Sequence, residues 1–266
     1  MAAVSFRLLQ ALILTKDEEP NIERVLSRLN WLEKVVVLDS ISTDRTKEIA
    51  SSFANVSVHS RAFDTHATQW NFGLSLLDST WVLSLDADYI LTDNFVDEIR
   101  EKLDTEGVAA YLTKFKFMVF GKELTADNTT PRPILFRHSD CMYFDDGHTQ
   151  RLKIDGETGS FRSKILHDDR KSLTRWLANQ SSYSIKECDK LIGESLDKLS
   201  FISKLRKQKI LAPIFVFFYC LIVKRAIFGG WRGWHYTLQR TIVEMLLALR
   251  LIEETKLKDA NEQNQP

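Results

Sequence analysis

Two aspartates one residue apart, Asp86 and Asp88, close the apolar run from Ser79 to Leu85. Carboxylates held that close repel each other unless a cation lies between them or one is protonated. A divalent, oxygen-seeking cation such as Mg²⁺ or Mn²⁺ resolves the conflict, above all where a diphosphate supplies the remaining oxygens. Oxygen-bearing side chains also close two earlier apolar runs. Thr15 and Asp17 follow Leu8–Leu14, and Asp39 follows Lys34–Leu38. One acidic strand end means little, and a lone Asp-x-Asp is more often a solvated turn; several on one edge of one sheet point to a site.

These residues need a scaffold, and the pattern around them supplies one. Trp81–Leu85 reads as a buried strand of a mostly parallel sheet, because it is short, apolar and bounded by polar residues. Helices are predicted through Arg24, Leu26 and Leu29, with Pro20 in the first turn, and from Ser42 or Thr43 as N-cap to about Phe53. Others are predicted over Gln69–Leu77 and, capped by Thr92 or Asp93, through Phe95, Ile99 and Leu103. With Val56–Ser60 as a third strand, the alternation implies βαβ units and ligand binding outside the carboxyl ends of the strands. Alternation over Ala109–Val119 predicts one strand with two unlike faces, followed by a turn at Phe120–Glu123 and a short strand at Ile134–Arg137. The chain contains neither a G-x-G-x-x-G turn nor a G-x-x-x-x-G-K-[ST] loop, so a bound nucleotide would rely on a metal to neutralise its diphosphate.

At 266 residues, 44% hydrophobic and 27% charged, the composition is that of a folded protein able to bury one sizeable core. Lys plus Arg and Asp plus Glu number 36 each, a balance that recommends no nucleic-acid partner. Cys141, Cys188 and Cys220 are widely spaced and odd in number, which fits a reducing compartment. Leu8–Leu14 is too short, and runs too directly into charge, to be a signal peptide.

The order of several blocks carries a family resemblance. Thr15-Lys16-Asp17-Glu18, Val37-Leu38-Asp39-Ser40-Ile41-Ser42-Thr43-Asp44-Arg45-Thr46 and Leu85-Asp86-Ala87-Asp88 resemble the donor-site motifs of family 2 glycosyltransferases with the GT-A fold. Arg61-Ala62-Phe63-Asp64 with Gln69-x-Asn71, Asp145–Gln150, and His167-Asp168-Asp169-Arg170-Lys171 resemble a subgroup of small bacterial enzymes that glycosylate the lipopolysaccharide core or a related glycolipid. Ile41 departs from the small residue, often Gly, common at its position, and Thr149 stands where many relatives have Glu. The resemblance implies that Asp39 binds the nucleotide base, with Thr15 and Asp17 bordering the pocket. It implies that Asp86 contacts the ribose or the metal and that Asp88 holds the metal. Arg61, Gln69 and Asn71 would lie along the donor, although Arg61 has Asp64 as an alternative partner. An inverting transfer also needs a base for the acceptor hydroxyl. Asp145, Asp146 and His148 are available, and Asp146 is the choice, against a turn role beside Gly147. His167 is read as a further metal ligand or diphosphate contact, with a capping role before the next helix as the competing reading.

Beyond Lys171 the pattern becomes helical. A stripe through Leu173, Trp176, Leu177, Leu191, Leu196 and Leu199 leads to the apolar run Ile210–Val223, which has basic residues at both ends. That run is too short to span a bilayer and contains Pro213, which fits an interfacial or re-entrant segment, with a buried core helix as the alternative. Aromatic and basic neighbours from Trp231 to Tyr236 favour the interface. The expected organisation is a GT-A catalytic domain over 1–170, a mixed, mostly parallel α/β sheet flanked by helices. A helical membrane-associating region over 171–255 and a disordered tail over 256–266 complete it. The expected function is metal-dependent inverting transfer of a hexose from a nucleotide-sugar to a membrane glycolipid, at the cytoplasmic face of the inner membrane, by a peripheral or monotopic enzyme. The alternatives are a polyprenyl-phosphate glycosyltransferase and a nonenzymatic membrane-bound binding or scaffold protein.

Overall fold

The computed structural model describes residues 8–125, 130–146, 149–195, 197 and 199–263, with side chains for all of these except Asp146, Thr149 and 258–263. The chain forms two compact units. The first takes in the chain to Glu123 and again up to Lys171; the second begins at Ser172 and also claims Leu124.

In the first unit, strands β1 (Leu9–Thr15), β2 (Val35–Asp39), β3 (Val56–Ser60) and β4 (Trp81–Asp86) alternate with helices α1 (Ile22–Leu26), α2 (Thr46–Ser51) and α3 (His66–Leu74). Then come β5 (Tyr89–Ile90), α4 (Asp93–Leu103), β6 (Val108–Thr113), β7 (Phe115–Val119), β8 (Lys122–Glu123) and β9 (Arg132–Arg137). A hairpin of β10 (Cys141–Asp146) and β11 (Thr149–Ile154), then β12 (Glu157–Ser160) and β13 (Ile165–His167), complete the unit. A seven-stranded sheet has the order β12-β6-β9-β4-β1-β2-β3, and a smaller one the order β5-β13-β7-β8. β1 pairs in parallel with both β2 and β4, while β9 runs antiparallel between β4 and β6.

The central strands read as continuous apolar runs because both of their faces are covered. Leu9, Ala11 and Ile13 of β1 pack with Ile22, Val25, Phe95 and Ile99, while Leu12 faces the opposite cluster with Ala67, Trp70 and Leu74. This is the mixed, mostly parallel α/β sheet flanked by helices that the sequence predicts. Thr92 caps α4 as expected, accepting from Phe95 N.

Three local expectations differ. α2 begins at Thr46, not after Ser42 or Thr43, because those two hydroxyls bind the carboxylates of Asp39 and Asp17 instead. α3 starts earlier, at His66, capped by Thr65. The strand expected over Ala109–Val119 breaks at Lys114 into β6 and β7, which belong to different sheets. The break follows a change of partner: Thr113 Oγ1 donates to Ser163 O at 3.1 Å, and Ile165 N donates to Lys114 O at 3.2 Å.

The second unit contains α5 (Leu173–Gly193), capped by Ser172, α6 (Phe201–Lys207), α7 (Leu211–Phe218) and α8 (Trp231–Gln263). α7 passes directly into a π turn over Tyr219–Val223. Cys188, Leu191, Leu199, Leu247 and Leu251 form its core, and Leu196 lies outside the described residues. Arg206 lies 2.7 Å from the buried Glu244 and 2.9 Å from Glu187. α8 continues to Gln263 through the polar stretch expected to be disordered; Lys, Leu, Ala, Glu and Gln there are strong helix formers. Among the described residues, no helix is long and apolar enough to cross a membrane.

Candidate active site

Parallel pairing brings the oxygen-bearing strand ends to one edge. Thr15 lies opposite Asp39, and Leu14 opposite Asp86. Asp39 is fully buried and accepts from Thr15 Oγ1 at 2.9 Å, from Ser42 N at 2.8 Å and from Ser42 Oγ. Its carboxylate therefore organises the turn after β2. Asp17 binds the same turn from the other strand: its backbone N donates to Ser42 Oγ at 2.6 Å, and its Oδ1 accepts from Thr43 N at 2.6 Å.

That crossover strains the backbone at Ile41, which has a φ of 61°. A β-branched residue in the left-handed region is an outlier, and Gly adopts it freely. Lys16 Nζ donates to Ile41 O at 2.5 Å from across the turn. Ile41→Gly is expected to stabilise the protein by about 1 kcal/mol, since relief of roughly 1–3 kcal/mol of strain outweighs the unfolded-state entropy of Gly. Urea unfolding would read a higher midpoint at unchanged slope; a lower midpoint would mean that the side chain supplies packing worth more than the strain.

Asp86 and Asp88 have separate partners. The neighbouring Tyr89 hydroxyl favours the charged form of Asp86, and Asp88 Oδ2 lies 3.0 Å from His167 Nε2. Burial and the facing Asp88 push the Asp86 carboxyl above the usual range. Burial also acts to raise Asp88, but the charge and hydrogen bond of His167 outweigh it and hold Asp88 low. Burial acts to lower His167, and Asp88 in turn raises it. Each thus favours the charged form of the other, and the His167 ring also packs against Tyr89 and Phe117. His167 is thus tied to Asp88 rather than capping the next helix, a task performed by Ser172.

Asp88 Oδ1 is buried without a hydrogen-bond partner. An unpaired carboxylate oxygen beside a second carboxylate fits a divalent cation. Among the described residues, no three acidic, His or Cys side chains already converge as a coordination shell. That is compatible with Mg²⁺- or Mn²⁺-type binding, in which one or two carboxylates hold the ion and substrate phosphates complete it.

Gln69 is fully buried and joins two loops. Its Nε2 donates to Ser40 Oγ at 3.1 Å, and its Oε1 accepts from Arg61 Nη1 at 2.5 Å. Arg61 also pairs with Asp64 at 2.7 Å, and the hydrogen bond from Arg61 holds the Asp64 carboxyl down at about 2. Asn71 clamps β10, donating to Tyr143 O at 2.8 Å and accepting from Tyr143 N at 3.0 Å. Trp70 stacks on the Tyr143 ring, and Asp145 accepts from Ala67 N at 3.1 Å in the first turn of α3. The hairpin bearing Asp146 is therefore fixed to α3, while the Asp146 side chain, Gly147 and His148 lie outside the described residues.

Asn21 and Arg24 lie outside the residues expected at the site, yet they anchor it. The buried Asp168 accepts from Arg24 Nη1 at 2.6 Å, Arg170 Nε at 3.0 Å and Gly121 N at 3.2 Å. Asn21 donates to Glu18 Oε2 and Asp169 Oδ1, both at 3.0 Å, and accepts from Arg170 N at 3.0 Å. Lys171 Nζ lies 2.8 Å from Glu18, whose carboxyl burial pushes up to about 7. Asp168 N donates to Asp88 O at 3.1 Å, so this knot ties the segment after β13 to the turn that follows β4. The available signal was the polar pair Asn21 and Arg24, three apart at the start of a short helix, together with the mixed-charge run 168–171 after an apolar strand.

The sequence model described as Glycosyl transferase family 2 matches residues 11–165, more than half of the chain and all of the strand ends described above except β13's last residues. The chain belongs to that family. An uncharacterized glycosyltransferase of Rickettsia bellii is 29% identical over 134 residues, covering 50% of this chain and 44% of the relative. One from Rickettsia felis is 35% identical over 92 residues, covering 34% and 32%. The matches thus span less than half the length of either relative. Among solved structures, Staphylococcus aureus TarS 1-349 with UDP-GlcNAc is 15% identical, with a TM-score of 0.49 over 94% of this chain and 92% of that one. The mannosyltransferase PcManGT of Pyrobaculum calidifontis, with GDP-Man and Mn²⁺, is 14% identical, with a TM-score of 0.48 over 95% and 87%. Family membership agrees with the GT-A expectation drawn from the motif order.

Proposed function

We propose that the chain is a metal-dependent, inverting glycosyltransferase that moves a hexose from a nucleoside diphosphate sugar to a membrane glycolipid. The acceptor class is lipopolysaccharide core or a related glycan of the bacterial envelope. The site of action is the cytoplasmic face of the inner membrane, with the enzyme held there as a peripheral or monotopic protein. The observation that carries the catalytic part is Asp88 Oδ1, buried and unpaired beside Asp86 at the carboxyl edge of a family 2 sheet.

Asp88 would hold the cation, with Asp86 beside it and His167 fixing the orientation of Asp88. A bound cation supplies charge neutralisation for the departing nucleoside diphosphate. Asp39 and Asp17 hold the Ile41–Thr43 turn that borders the nucleotide base, while Gln69 places Arg61 along the donor. Asp146 takes the proton from the acceptor hydroxyl as that oxygen bonds to the anomeric carbon, and the bond from that carbon to the diphosphate oxygen breaks. The hairpin clamp through Asn71 and Asp145 sets the position from which Asp146 acts.

The test is transfer of labelled hexose from UDP- and GDP-sugars into a bacterial lipid extract. Asp146→Asn is expected to lower kcat by about 10²–10⁴-fold with donor binding retained, the usual worth of a positioned base. Transfer that survives the substitution would replace the hydroxyl acceptor with a polyprenyl phosphate, which needs no strong base. Absence of binding to any nucleotide-sugar would leave the scaffold reading.

A further inference from the structure

The Ile210–Val223 run is apolar on all sides in sequence, but the structure divides it. Ala212, Pro213, Cys220 and Leu221 are buried within the helical unit. Ile210, Ile214, Phe218 and Ile222 are all more than half exposed, and each is followed by a second exposed apolar or aromatic residue. Three small side chains and Leu221 thus seat the segment on its own unit, and large apolar ones face outward.

The spacing of that exposed set is four residues, not 3.6. In an α-helix a four-residue step overshoots one turn by about 40°, so three such steps would carry the stripe onto the packed side. The π turn over Tyr219–Val223 takes more residues per turn, so it rotates the chain less per residue and counteracts this drift. The irregular turn therefore keeps Ile222 and Val223 in line with the stripe begun by Ile210 and Leu211. A helix built only to pack has no need of that correction on its outer face.

Charge identifies what covers the stripe. From Lys198 to Val243 the chain has nine Lys or Arg and no Asp or Glu, although the whole protein is balanced at 36 of each sign. Lys207 and Lys209 precede the stripe, and Lys224 and Arg225 follow it. Basic residues at both ends of a short apolar face orient it parallel to an anionic surface, with the rings and aliphatic chains sunk to the acyl boundary. An apolar protein partner would give no reason for the exclusion of acids over 46 residues.

We infer that the stripe from Ile210 to Val223, aligned by the π turn, is an in-plane insertion face for an anionic lipid bilayer. This deepens the glycolipid-acceptor reading and rests on it for its purpose. A soluble donor site acting on a lipid-borne hydroxyl gains from residence at the surface where that acceptor lies.

The test is flotation of the full-length protein with vesicles of phosphatidylcholine alone or with about one third phosphatidylglycerol. Wild type is expected to float at least tenfold better with the anionic vesicles at low salt, and to lose most of that preference in 0.5 M salt. Phe218→Glu/Ile222→Glu, two exposed positions, is expected to stay at the bottom of the gradient while its circular dichroism and nucleotide-sugar binding remain those of wild type. Equal flotation of the double variant overturns the inference. So does a wild type that ignores both vesicles, or one that forms a lipid-independent dimer by light scattering that the variant dissolves. Flotation without nucleotide-sugar binding would sink the catalytic reading and leave the insertion face standing; binding without flotation would do the reverse.

Discussion

Asp88→Asn is expected to abolish metal-dependent donor binding and to lower hexose transfer by about a thousandfold. The substitution keeps the size of the side chain and a hydrogen-bonding partner for His167, and removes one negative charge. His167 favours that charge, and the same carboxylate carries the unpaired Oδ1. Charge stabilisation by a bound cation contributes several kcal/mol to the departure of a diphosphate, and roughly 4 kcal/mol corresponds to a thousandfold in rate. Stability should respond far less. The variant loses the attraction between Asp88 and His167, but it also relieves the repulsion that pushes up Asp86, so the two effects oppose each other. Calorimetry of a UDP- or GDP-sugar with and without Mn²⁺ would show metal-dependent heat for wild type and none for the variant, at melting temperatures within a few degrees. Undiminished transfer by Asp88→Asn would leave Asp86 and the buried Asp88 a structural turn with no part in donor binding. A large loss of stability would instead make the pair with His167 a structural element.

The placement of Asp86 and Asp88 at one edge of the sheet was legible because the relevant information is local. A buried strand that ends in two carboxylates announces a conflict whatever the rest of the chain does, and the parallel alternation from Leu9 to Leu103 announces which edge they occupy. Ser42 and Thr43 show where local reading fails. A hydroxyl ahead of a helix is a good cap, but Asp39 and Asp17 were also within reach, and ionised acceptors form the stronger bonds. Choosing between them needs the positions of two strand ends, which come from the sheet and not from the local pattern. The break at Lys114 has the same origin: alternation describes which way side chains point and is blind to a strand that leaves one sheet for another. The polar pair Asn21 and Arg24 gave only a local signal that could not name their partners, which lie more than 140 positions away. The same limit applied to Ile210–Val223, whose uniform apolarity conceals a division into packed and exposed residues that only the fold reveals.

The long-range knot is also where the largest loss of stability is expected. Asp168→Ala removes a buried carboxylate that accepts from two guanidinium groups and a backbone N–H. Breaking a buried ion pair by deleting one partner costs about 3–5 kcal/mol, and the partial exposure of both arginines argues for the lower end. At roughly 2–4 °C per kcal/mol for a unit of this size, the melting temperature should fall by about 6–12 °C. Arg170→Ala removes only the more exposed of the two cations and leaves Arg24 in place, so its cost should be under about 1 kcal/mol. Asp168→Asn should lie between, keeping the acceptor for Gly121 N but not the charge facing Arg24. Transfer should fall further than stability alone explains at temperatures where Asp168→Ala is folded, because Asp168 N binds Asp88 O and the preceding residue is His167. A shift of that segment moves His167 away from Asp88, so the Mn²⁺ affinity of the variant should weaken together with kcat. If Asp168→Ala loses stability but keeps wild-type metal affinity and kcat below its melting point, the knot holds the fold together without positioning the site. If Arg170→Ala proves the more damaging change, the guanidinium itself, and not the carboxylate it pairs with, is the group on which the donor depends.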